Sequence, residues 1–70
     1  MSIKVGQRVK WKWGQRDAFG TVQEVHSGTV VRRIKQENVK RNGEKGNPAL
    51  VIEQDDGDEV LKLFSEVEKF

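Results

Sequence analysis

Apolar and basic positions alternate along the opening of the chain, with Val9, Trp11 and Trp13 on one side of an extended backbone and Arg8, Lys10 and Lys12 on the other. A period of two separates residues in this way only in a strand, because a helix would scatter them around its axis. Gly14 and Asp17 mark a turn, and Gly20, Thr21, Val22 and Val25 read as the returning arm of a hairpin. His26, Ser27 and Gly28 break the pattern, and alternation resumes over residues 29–35. There Val30, Arg32 and Ile34 face one way and Val31, Arg33 and Lys35 the other. Gln36, Glu37 and Asn38 interrupt this run, and residues 39–42 form a polar returning arm.

The segment NGEKGNP at 42–48 concentrates residues that supply positive φ, cap turns or break a ladder, so it reads as a loop. ALVIEQ at 49–54 follows as a strand. Asp55, Asp56, Gly57 and Asp58 form an acidic turn, and residues 59–63 return as its partner. Residues 65–70 are too few for a free-standing helix and suit one helical or 3₁₀ turn before a last short strand. The expected fold is all-β, a single domain over residues 1–70. Its architecture is a small SH3-like antiparallel barrel of five to six strands with one short 3₁₀ turn near the C-terminus, an arrangement that curls the sheet and removes most free edges.

A chain of 70 residues buries only about 60% of its extended surface, which leaves little room for an enzyme pocket. It has no cysteine, so disulfides and thiolate metal sites are excluded and a reducing cytoplasm is the expected compartment. No apolar run is long enough to span a bilayer, and the chain is expected to be soluble and untargeted. Net charge is only +2, but it is unevenly distributed along the sequence. Residues 1–45 hold 11 basic and 4 acidic side chains, and residues 46–70 hold 2 and 7. If folding keeps the halves apart, the basic side attracts phosphate or an acidic partner, whereas intermixing cancels the field within a Debye length of about 8 Å.

Lys10, Lys12, Arg16, Arg32, Arg33, Lys35, Lys40 and Arg41 could share one face and contact phosphates, with Trp13 at the margin for base stacking. Read blandly, the same cations are the solvated side of strands. Asp55, Asp56, Asp58 and Glu59 lack the spacing of a calcium loop and serve a hairpin turn instead. His26 stands without a second ligand at metal spacing, and Ser27 and Ser65 have no base and orienter, so neither a metal, a cofactor nor catalysis is expected.

The spacing of Gly6, Val9 and Trp11, that of Gly20, Val22 and Val25, the basic stretch VVRRIKQENVKRNG and the run NPALVIEQDDGDEVLKLFSEVEK together resemble the hypervirulence-associated tudor-domain family. These are small bacterial and fungal proteins with an SH3-like barrel, and the likeness extends from about Gly6 to Lys69. The chain departs from the family pattern at Gln36, where a turn glycine is common, at Leu50, where a tyrosine is frequent, and at Leu63 and Phe64, which replace a more polar pair. The tudor likeness implies an aromatic cage for a cationic group, for which Trp13 and Phe19 flank the first turn with Asp17 as counter-charge. The resulting expectation is a non-catalytic binding module. Its leading reading is weak, sequence-tolerant nucleic-acid association through Lys10, Lys12, Arg16, Arg32, Arg33, Lys35 and Arg41. The alternatives are a peptide site built on Trp13, Asp17 and Phe19, or salt-dependent self-association between the basic stretch and the acidic hairpin.

Overall fold

The computed structural model describes residues 3–70. Seven strands follow in order: β1 (Arg8–Trp13), β2 (Arg16–His26), β3 (Thr29–Ile34), β4 (Glu37–Asn42), β5 (Ala49–Gln54), β6 (Glu59–Leu63) and β7 (Glu68–Lys69), with a 3₁₀ turn over Phe64–Glu66. Five of them form an antiparallel sheet in the order β6-β5-β2-β1-β7, and β3 and β4 pair as a separate hairpin. The fold is the all-β, barrel-like one expected. It has one strand beyond the expected five to six, and the expected last short strand is the two-residue β7, which pairs with Val9 and Lys10 of β1.

The first hairpin closes earlier than its sequence suggests. The turn occupies Gly14 and Gln15, with Gly14 in the left-handed region at φ 62°, and β2 begins at Arg16 rather than Gly20. Asp17 is therefore a strand residue opposite Lys12, not a turn residue. Further along, the β2–β5 register shifts between Val22 and Glu24, so Gln23 is the extra residue of a β-bulge. A bulge reverses which face the following side chains take. Val22 pairs with Ile52 on one side of the sheet, and Glu24 pairs with Val51 on the other.

β5 explains the two-sided packing. Ala49, Leu50, Val51 and Ile52 are all fully buried, as expected of a short continuous apolar run covered on both faces. Leu50 and Ile52 join Ile3, Val9, Trp11 and Val22 in one core, flanked by Val60, Phe64 and Val67. Val51 and Ala49 join Val30 and Leu61 in a second core, completed by Ile34, Val39 and Leu63, so the β3–β4 hairpin is laid over β5 and β6. Gly20 is required at the crossing of β2 and β5: a Cβ there would sit 2.6 Å from Ile52 Cγ2 and 2.7 Å from the Glu53 carbonyl oxygen. The acidic turn matches expectation. Gly57 has φ 94°, and the Asp56 carboxylate accepts the Asp58 N–H at 2.9 Å.

Candidate functional site

Between the tip of the β1–β2 hairpin and the β3–β4 hairpin lies an open groove of about 560 Å³. One wall is Trp11, Trp13 and Ala18 and the other is Ile34 and Val39, with Val60 and Leu61 between them. This geometry follows from strand register. Trp13 and Trp11 share a side-chain face with Ala18, Trp11's partner on β2. Trp11 lies over the core and is 5% exposed, whereas Trp13 overshoots the core at the hairpin tip and is 73% exposed. Asp55, Asp56, Asp58 and Glu59 from the β5–β6 turn line one end of the groove, along with Lys35 and Lys62. Two of these carboxylates are ion-paired: Asp55 with Arg8 at 2.6 Å and Asp58 with Lys35 at 3.1 Å. Asp56 and Glu59 carry no ion pair among the described residues.

The same register separates the expected peptide-binding trio. Phe19 lies opposite Lys10 and Asp17 opposite Lys12, which puts both on the face away from Trp13. Phe19 borders the groove, but its ring packs edge-on against Phe70 with centroids 5.5 Å apart. The Asp17 carboxylate lies 3.1 Å from Lys12 Nζ. Trp13 thus faces the groove without Asp17 beside it, and the groove's acidic side comes from the β5–β6 turn instead. That turn is plain in the sequence as DDGD, but nothing local shows that it faces the first hairpin.

Register divides the expected phosphate contacts of the β3–β4 strands, with Arg32 and Arg41 on the face of Val30 and Arg33 on the other. Lys10 pairs with Glu68 at 3.8 Å, Lys35 with Asp58 at 3.1 Å and Arg41 with Glu66 at 3.8 Å. Lys12 pairs with Asp17, and Arg32 donates to Glu24, which also lies 2.7 Å from His26 Nε2. Arg16 and Arg33 make no ion pair among the described residues. A second depression, about 440 Å³, sets Lys10, Lys12 and Lys62 among Asp17, Glu66 and Glu68, so carboxylates balance its ammonium groups.

Arg8 ties β1 to the β5–β6 turn. Its guanidinium donates to both oxygens of Asp55 at 2.6 and 2.9 Å and to Thr21 Oγ1 at 3.1 Å, and lies 5.7 Å from the centre of the Phe70 ring. These hydrogen bonds from Arg8 hold the Asp55 carboxyl below its usual range, and those from Arg32 and then His26 do the same for Glu24. Among the described residues no three His, Cys, Asp or Glu side chains gather as metal ligands would.

Comparison with curated proteins and with solved structures finds no match. A family profile described as the hypervirulence associated proteins TUDOR domain matches residues 6–67. That span includes all of β1 to β6, both cores' strand residues and every wall of the groove, and the chain accordingly belongs to the family of hypervirulence-associated tudor domains.

Proposed function

We propose that this binding module is a protein-interaction domain that seats an extended segment of a partner chain, carrying apolar and basic side chains, in the groove beside Trp13. The observation that carries this reading is the 73% exposure of Trp13 next to an apolar floor and an acidic turn. An exposed indole beside an apolar groove rimmed by polar residues is the arrangement of an interaction site, and aromatic anchors in pockets dominate interface energetics. Asp56 and Glu59, the groove carboxylates that carry no ion pair among the described residues, favour basic side chains. Phosphate binding has less support, because five of the seven expected contacts already face a carboxylate of the same chain.

Calorimetry with three probes tests this: a capped peptide alternating Leu and Lys, its Leu and Glu counterpart, and a single-stranded oligonucleotide of equal charge. The Leu and Lys peptide is expected to bind and to lose at least tenfold in affinity on Trp13→Ala, which removes an anchor worth about 2 kcal/mol. Oligonucleotide binding that survives Trp13→Ala, falls steeply with salt and is lost in Arg16→Ala with Arg33→Ala would replace this reading with the nucleic-acid one.

A further inference from the structure

The β3–β4 turn is built from the wrong residues for its shape. Lys35 and Gln36 have φ of 51° and 68°, the left-handed pair that a two-residue hairpin turn normally gives to Asn and Gly. Neither side chain is glycine, so the backbone at both positions is strained. Such strain persists only where surrounding contacts determine the conformation. The β3–β4 ladder, paired from Thr29↔Asn42 to Ile34↔Glu37, imposes that conformation, and an ion pair from Lys35 Nζ to Asp58 Oδ2 joins the tip of the hairpin to the β5–β6 turn. Both residues line the groove that Trp13 borders. The pair is also open to water, with Lys35 73% and Asp58 44% exposed, so it exchanges readily.

We propose that Lys35 is an internal placeholder for the ligand's cation. In the free chain its ammonium group occupies Asp58, and a basic side chain entering the groove displaces it, releasing the strained turn from the β5–β6 hairpin as it binds. This rests on the groove being the binding site. It adds a regulatory step, in which the apparent affinity is the intrinsic affinity reduced by the fraction of chains with Lys35 detached. It also assigns the β3–β4 turn a task that its residue choice otherwise works against.

Two measurements separate this proposal from the groove reading itself. The first needs no ligand. Trp11 is buried, so quenching of tryptophan fluorescence reports on Trp13. Quenching by caesium ion is expected to rise in Lys35→Gln but not in Lys62→Gln, which removes a second groove-lining ammonium group that is in no ion pair with Asp58. Acrylamide, a neutral quencher, should act equally on all three chains. The second measurement is calorimetry with the capped Leu and Lys peptide. Lys35→Gln should bind it about two- to sixfold more tightly, the range that opening an exposed ion pair permits, and Lys62→Gln should change affinity by less than half as much. Equal effects of the two substitutions on caesium quenching, or on peptide affinity, would reduce Lys35 to a generic contributor to the local field and overturn the placeholder. If the peptide binds none of the chains, the groove reading fails and the quenching comparison alone decides whether Lys35 screens Asp58 from cations.

Discussion

Trp11 and Trp13 lie two positions apart on the same face of β1, yet one is closed over by the core and the other stands 73% exposed. The difference arises from where the core ends, since Trp11 has Ala18 across the hairpin and the β5 residues beneath it, and Trp13 has only Arg16 at the tip. Trp11→Ala should therefore cost about 3–5 kcal/mol of folding stability, while Trp13→Ala stays within about 0.5 kcal/mol. Urea titration of the two variants measures the contrast, and similar losses in both would mean that Trp13 is packed. The alternation that placed both indoles on one face was plain in the sequence. Which of them faces water was not, because period-two patterning carries no information about how far a neighbouring layer reaches. At the same scale, Gln36→Gly should stabilise the chain by about 0.5–1 kcal/mol, since a left-handed residue costs about 1–2 kcal/mol and glycine gives back part of that as unfolded-state entropy.

At the level of elements, the crossing of β2 over β5 depends on the absence of a side chain at position 20. A methyl group there would meet both Ile52 and the Glu53 backbone, and the backbone atom has nowhere to rotate. Gly20→Ala should cost at least about 1–3 kcal/mol and lower the cooperativity of thermal unfolding; a melting temperature equal to that of the parent would show that β2 and β5 can separate without loss. Hairpins read well from the sequence because their signals are local: alternation, the Gly14 turn and the DDGD turn all lie within a few residues of what they specify. The features that depend on distant partners were hidden. The bulge at Gln23 turns Glu24 toward Arg32, and Ile3 joins the core from outside any strand. The placement of Asp17 and Phe19 is hidden for a related reason, since β2 starts at Arg16 and the resulting register turns both side chains to the face opposite Trp13, with Phe19 left at the border of the groove.

For the whole molecule, folding brings the unevenly charged halves of the sequence into contact. Cations of the first 45 residues meet carboxylates of the last 25 in Arg8–Asp55, Lys10–Glu68, Lys35–Asp58 and Arg41–Glu66, so the fold interleaves the two halves instead of segregating them. Most of these pairs are exposed, and each contributes little in salt. Arg8–Asp55 and Arg32–Glu24 are open to water as well, yet each holds its carboxyl below the ordinary value, 3.8 for Asp55 and 4.5 for Glu24, through hydrogen bonds to the ionised form. A carboxylate depressed in the folded state adds stability that is fully present above its unfolded value and is lost as the pH falls through the folded one. The chain should accordingly keep a constant urea midpoint from about pH 7 to about pH 5 and lose stability progressively below that. Asp55→Asn combined with Glu24→Gln should lower the midpoint at neutral pH and flatten the acid limb, so that parent and variant converge near about pH 2. A gap between the two chains that stayed constant across this range would mean that neither ion pair contributes to folding.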